Sequence, residues 1–147
     1  MYERTLFAGW GDMDFNAHMR NTAYLDKSAD VRMMYFADNG FPMAKFVALR
    51  LGPVVTKDEV EYFREMGLLE GVRVTLALAA MSDDGSRCRI RNELYRPDGK
   101  LAARVTSSVG WLDLDARRLT LPPRELLDAL QALPRTSDFE TLASGLK

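Results

Sequence analysis

Cysteine occurs once in this sequence, at Cys88, and histidine once, at His18. A lone cysteine excludes an intramolecular disulfide framework, and with a single histidine beside it a Cys/His zinc site is excluded too. An excess of either charge is also missing. The chain has 20 Lys and Arg against 21 Asp and Glu, for a formal net charge of −1. That balance removes the electrostatic basis for binding nucleic acid or an anionic membrane surface. No run approaches the roughly 18 apolar residues that span a bilayer. The start, Met1-Tyr2-Glu3-Arg4, leads into a mixed segment and not into the apolar core of a secretion signal. Repeats, low-complexity stretches and linkers rich in Gly, Ser or Pro are absent. These features lead us to expect a cytoplasmic protein that carries no metal and no cofactor.

What remains is ordinary globular material: 147 residues, 47% apolar and 28% charged. A chain of this length forms one domain and buries about 70% of its unfolded surface, enough for a core without staples. We place that domain at residues 1–134 and read 135–147 as a tail with at most one short helix, since Ser137 and Glu140 have capping-box spacing. Residues 3–10 read as a strand, and 11–20, polar and irregular, as a loop. Residues 21–39 read as a long helix capped by Asn21 or Thr22 and ended by Gly40, with Pro42 beyond. Tyr24, Leu25, Ala29, Met33 and Phe36 form its apolar stripe, and Asp26, Lys27, Asp30 and Asp38 a narrow polar arc.

Residues 44–51 are either a short helix or an irregular connection. Four strand-like runs follow at 53–64, 71–82, 86–97 and 100–115. Asp83-Asp84-Gly85 and Pro97-Asp98-Gly99 mark turns between consecutive strands, so 71–115 reads as an antiparallel meander. Pro122-Pro123 then opens a short amphipathic helix. One largely apolar helix cannot bury itself. The expected class is therefore α+β, a curved antiparallel sheet of about five strands wrapped around one long central helix, with a short C-terminal helix.

The loop 12–22 carries the chemistry. The run Asp14-Phe15-Asn16-Ala17-His18-Met19-Arg20-Asn21-Thr22-Ala23-Tyr24-Leu25 resembles the signature D-x-x-G-H-V-N-N-x-x-Y-L of hotdog-fold thioesterases. It matches at Asp14, His18, Asn21, Tyr24 and Leu25, and departs at Ala17, Met19 and Arg20. Trp10-Gly11-Asp12-Met13-Asp14 is similar to the segment that carries the catalytic aspartate in the 4-hydroxybenzoyl-CoA thioesterase-like superfamily. The resemblance implies a hotdog domain that hydrolyses an acyl-CoA thioester. Asp14 would act as general base or nucleophile, and the backbone amide at Asn21 would polarise the carbonyl. Thioester hydrolysis needs those two functions in a site that excludes bulk water. An aspartate just ahead of a helix N-terminus, with its free amides and positive dipole end, can meet that need.

The neighbouring residues keep two readings each. His18 either orients Asp14 and meets the substrate or leaving thiol, or is a loop histidine bonded to backbone. Asn16 and Tyr24 are candidate substrate contacts, though Tyr24 also suits the core. Asp12 is either a second acid facing Asp14 or a solvated or turn-capping residue. The alternating Arg87, Arg89 and Arg91 either meet CoA phosphates or pair with neighbouring strands, while Cys88 faces the core with Ile90. Met33, Met34, Met43, Met66 and Met81 suggest adaptable packing.

The competing functions are an acyl-carrier-protein thioesterase, a hotdog enoyl-CoA hydratase and an acyl-CoA binding protein without turnover. Asp14 and Asn16 fit the hydratase pattern G-D-x-N-P-x-H, but Ala17 replaces its proline and His18 falls one residue early. A single curved sheet leaves long open edges, so the chain should pair with itself as a homodimer at minimum, with a tetramer open.

Overall fold

The computed structural model describes residues 1–146, so Lys147, the last residue of the expected tail, lies outside it. The chain runs through β1 (Tyr2–Phe7), a loop with one 3-10 turn at Trp10–Asp12, α1 (Ala23–Asp38) and α2 (Met43–Leu49). It continues with β2 (Leu51–Tyr62), β3 (Gly71–Ser82), β4 (Arg87–Tyr95), β5 (Leu101–Asp113), β6 (Arg118–Leu119), α3 (Arg124–Gln131) and β7 (Arg135–Leu142). The strands make one sheet in the order β1-β3-β4-β5-β2, with β6 added to β5 and β7 to β3. The class is α+β, as expected. No helix among the described residues is long and apolar enough to cross a membrane.

The meander forms because residue alternation and turn chemistry agree. Along β4 the side chains alternate, with Cys88, Ile90, Asn92 and Leu94 buried and the arginines turned outward. At the β3–β4 turn Asp84 accepts a hydrogen bond from the Ser86 amide at 3.0 Å, and Gly85 takes φ +75. A left-handed residue closes such a turn, and glycine adopts it without the Cβ penalty. Trp111 of β5 donates its indole N–H to the Gly85 carbonyl at 2.9 Å and is itself fully buried. One large side chain thus fixes both the turn and the core, contributing roughly 1.5–3 kcal/mol by burial alone.

Three expectations need correction. First, the helix does not begin at Asn21 or stand alone in the core. It spans 16 residues from Ala23 and shares the apolar interior with α2 and α3. Thr22 is the cap residue, but its side chain does not cap; its hydroxyl accepts from Arg20 Nε at 3.0 Å. At the other end the expectation holds: Gly40 has φ +83, and Phe41 N–H reaches back to the Phe36 carbonyl at 2.8 Å.

The buried face of α1 is also rotated from the expected stripe. It comprises Ala23, Tyr24, Lys27, Ser28, Val31, Arg32, Tyr35 and Phe36, while Ala29 is exposed and Leu25 and Met33 are only partly covered. Two cations therefore point inward. Arg32 donates from Nε to Asn92 Oδ1 and from Nη2 to Ser107 Oγ, each at 2.8 Å. Ser107 in turn donates to Asp58 on β2, and Asn92 Nδ2 donates to the Thr75 carbonyl at 3.0 Å. Burial draws the Arg32 guanidinium below its ordinary pKa, and Asp58 opposes the shift. Each buried polar group in this network finds a partner, which is the condition for tolerating it in a core.

Second, residues 135–142 are neither tail nor helix. They form β7, which runs parallel to the end of β3 from Leu78 to Ser82, beyond the part of β3 that β1 covers. An open edge there would leave backbone groups unpaired. Arg91 holds Asp138 through two bonds of 2.9 and 3.2 Å, and Arg89 holds Glu140. Two of the three strand arginines thus pair with the neighbouring strand, and with β6 this makes seven strands, five of them long.

Third, the methionines divide. Met66 and Met81 are core, whereas Met34 and Met43 are exposed. Cys88 is buried as expected, and burial pushes its thiol up to about 12, keeping it protonated and unreactive.

Candidate functional site

The loop between β1 and α1 is built by its own backbone. Asp12 N–H bonds the Gly9 carbonyl at 3.0 Å and Asp12 Oδ2 accepts from Gly9 N–H at 2.8 Å, closing the 3-10 turn from both sides. Met13 and Met19 then form an isolated antiparallel bridge, and Asp14 N–H donates to the His18 carbonyl at 3.0 Å. Between them Asp14 Oδ1 accepts from the Asn16 amide at 2.8 Å, an Asx turn that fixes the carboxylate. The turn closes through Ala17 at φ 67, where the resembled signature has glycine. The added Cβ therefore leaves the backbone in the left-handed region and takes on its steric cost.

Asp12 caps the turn, and it also makes a contact that sequence reading missed. Its Oδ2 lies 2.8 Å from Lys27 Nζ, with the two side chains 23% and 10% exposed. Burial alone would raise the Asp12 carboxyl. The Lys27 hydrogen bond, the Gly9 amide and the charges of Lys27 and Arg20 outweigh it and hold the group below its ordinary value. Asp12 is therefore occupied with α1 and not with Asp14. Spacing had put Lys27 in the solvated arc, and nothing local to the helix marks it as inward-facing. Arg20, a departure from the signature, adds further ties. Its amide bonds the Asp12 carbonyl at 2.8 Å, and its guanidinium meets the Gly11 carbonyl and lies 3.6 Å from Asp26.

Above this base lies a cleft of about 520 Å³ that brings together all five expected residues, Asp14, Asn16, His18, Asn21 and Tyr24. His18 Nδ1 stands 3.7 Å from Asp14 Oδ2, beyond hydrogen-bond length, and 3.2 Å from the Met19 carbonyl. Both readings of the histidine thus have a geometric basis. Asn21 precedes α1 by two residues. Its carbonyl accepts from the Tyr62 hydroxyl at 2.7 Å, and its amide has no acceptor among the described residues. Tyr24 is 3% exposed and meets the Tyr62 ring edge-on at 5.3 Å. Burial, then Tyr62, Glu65 and Asp14, push its hydroxyl up to about 12, so it stays a neutral donor.

The far wall comes from Tyr62, Phe63, Arg64 and Glu65, at the end of β2 and just beyond it. The sequence reading missed these residues. They lie forty residues or more from the loop, and only the sheet brings them to it. Among the described residues no three His, Cys, Asp or Glu side chains converge as metal ligands would.

A family model described as the thioesterase-like superfamily matches residues 8–130. No curated protein matches the chain. Among solved structures, a hypothetical protein from Staphylococcus aureus in complex with CoA is 19% identical, with TM-score 0.80 over 92% of this chain and 87% of that one. A 1,4-dihydroxy-2-naphthoyl-CoA thioesterase from Synechocystis is 12% identical, with TM-score 0.81 over 90% and 96%. A DHNA-CoA thioesterase from Staphylococcus aureus is 17% identical, with TM-score 0.80 over 88% and 87%. At these identities the likeness carries the fold.

Proposed function

The chain belongs to the thioesterase-like superfamily, and on that premise we propose that it is a thioester hydrolase that cleaves an acyl-CoA to the free acid and CoA. One observation carries the proposal: the Asp14 carboxylate, fixed by its Asx turn, shares a cleft with the unpartnered Asn21 amide at the approach to α1. A thioester carbonyl held at Asn21 would receive the amide N–H and the positive end of α1 as its oxyanion develops. Asp14 then either takes a proton from the attacking water or attacks the carbonyl carbon itself. On the first route the proton that Asp14 takes from water passes to the departing thiolate of CoA. On the second the thiolate leaves as an acyl–Asp14 anhydride forms, and water then cleaves that anhydride, releasing the acid, restoring Asp14 and supplying the proton of the thiol. His18 orients Asp14 or meets the departing sulfur, and Asn16 and the neutral Tyr24 hydroxyl contact the substrate. An acyl-CoA substrate suits a cytoplasmic setting.

We assign the working unit to a homodimer at minimum. β2 bonds β5 along one edge only, and its other edge has no strand partner among the described residues, with Val55 50% and Tyr62 49% exposed. A second copy pairing there would cover that edge and lie beside Tyr62–Glu65, completing each site. Light scattering that returns a concentration-independent monomer would refute this; a tetramer of such dimers agrees with it.

Release of free thiol from a panel of acyl-CoAs tests the activity. Asp14→Asn and Asp14→Ala should lose about 10²- to 10⁴-fold in kcat while keeping the wild-type circular dichroism. Full turnover in either variant removes Asp14 from the mechanism. Hydration of an enoyl-CoA without thiol release would favour a hydratase, and thiol release only from acyl carrier protein would change the carrier.

A further inference from the structure

Asp14 also lines a second cleft, of about 610 Å³, which shares no other residue with the first. Its remaining lining is Trp10, Met13, Phe15, Ala17 and Leu68, without a charged group. The first cleft is mixed: beside Met19, Tyr24, Tyr62 and Phe63 it presents the polar or charged Asn16, His18, Asn21, Arg64 and Glu65. We propose that this second cleft is the acyl subsite, taking a linear or aromatic hydrocarbon chain, while the first cleft, which holds all the charged and amide side chains other than Asp14, takes the pantetheine and phosphates of the carrier. The assignment rests on the hydrolysis reading above, because a thioester centred on Asp14 must extend in two directions of opposite polarity.

Several observations bear on what the second cleft binds. The apolar surface is large and uncovered: Phe15 is 100% exposed, Trp10 81% and Leu68 46%. Leu69, next in the chain to Leu68, and Phe7 are exposed as well, at 70% and 62%. Exposed apolar side chains gathered around one cleft, as Trp10, Phe15 and Leu68 are, mark a binding site. The volume falls in the range of about 300–1,000 Å³ usual for small-molecule sites. Backbone strain also occurs here: Leu69, φ 63, and Ala17, φ 67, are two of the four non-glycine residues with positive φ. One holds an exposed leucine beside Leu68, and the other belongs to the cleft lining. The two loops are joined by paired bonds, Ala8 N–H to Glu70 O at 3.0 Å and Leu69 N–H to Ala8 O at 2.6 Å, so the cleft has a fixed frame. Its continuity with Asp14 argues for substrate as the occupant. A second copy of the chain seated here would cover one side of that carboxylate.

The experiment compares wild type with Trp10→Ala/Leu68→Ser, both at exposed positions outside the core, with circular dichroism as the check on folding. Leu121→Ser, exposed and lining neither cleft, is the control. Thiol release is measured with dodecanoyl-CoA and acetyl-CoA, and binding with the S-dodecyl thioether of CoA against CoA alone. In the double variant the kcat/KM advantage of dodecanoyl over acetyl should fall roughly tenfold or more, as loss of apolar contact to several methylenes requires. Binding of the thioether should weaken by a similar factor relative to CoA. An unchanged preference together with unchanged thioether binding overturns the proposal. So does a double variant that becomes monomeric in sedimentation with both substrates slowed equally, which would give the cleft to a second copy. Should wild type release no thiol at all, the hydrolysis reading fails, and the thioether titration still decides the subsite.

Discussion

Replacing Lys27 by methionine keeps the length of the side chain and removes the ammonium that sits 2.8 Å from Asp12 Oδ2. At that separation the gross attraction is about 6 kcal/mol for an effective dielectric constant near 20, most of it offset by desolvation of the two groups. Removing one partner of a buried pair costs roughly 3–5 kcal/mol, because the other charge is left uncompensated. Asp12 is 23% exposed and keeps the Gly9 amide, so the expected loss is smaller, about 2–3 kcal/mol at pH 7. Asp12→Asn should cost a similar amount by stranding Lys27, and the double variant should cost clearly less than the sum of the two. Urea denaturation with linear extrapolation measures all three.

The pH dependence adds a second check. The folded-state pKa of Asp12 is depressed, so its ionisation stabilises the fold above the ordinary carboxyl value of 3.8. That stabilisation disappears as pH falls through the lower folded value. The gap between wild type and Lys27→Met should therefore be full at neutral pH and narrow below pH 3.8. A gap under about 0.5 kcal/mol at pH 7, the size of an exposed pair, or strict additivity of the two substitutions, would refute the idea that this pair anchors the site loop to α1.

Other substitutions probe the backbone and the buried network. Ala17→Gly relieves a left-handed alanine worth about 1–2 kcal/mol and gives back part of that in chain entropy. A net gain of about 0.5–1 kcal/mol is expected, read as a rise of a few degrees in Tm; a fall would mean that the alanine methyl packs productively. Gly85→Ala combines φ +75 with a Cβ only 2.5 Å from Leu127 Cδ1. It should cost about 2 kcal/mol in urea denaturation, and a neutral result would contradict the close packing of α3 on this turn. Arg32→Ala strands Asn92 Oδ1 and takes from the fully buried Ser107 the hydrogen bond it accepts, leaving it only Asp58, for a loss of about 3 kcal/mol. Arg32→Met refills the volume and should cost less, so equal costs for the two would count against the hydrogen-bond account.

The sequence alone determined the elements whose cause is local. Alternation along residues 86–97, aspartate and glycine at 83–85 and 97–99, and Gly40 after α1 specify strands, turns and a helix end through side-chain periodicity and φ preference. The site loop was legible for the same reason: Asp14, Asn16, His18, Asn21 and Tyr24 lie within eleven residues, so a short stretch of chain delivers them to one cleft. Only the tertiary structure decided what depends on distant partners. Lys27 turns inward because Asp12, fifteen residues away, meets it there. Residues 135–142 become a strand because the end of β3 and two arginines of β4 lack partners, and pairing them outweighs a capping-box spacing. Tyr62–Glu65 reach the cleft because β2 runs along the sheet to it. Periodicity records which face of a segment is apolar, but the free energy of a buried charge or an open edge depends on its partner, and the fold supplies that partner.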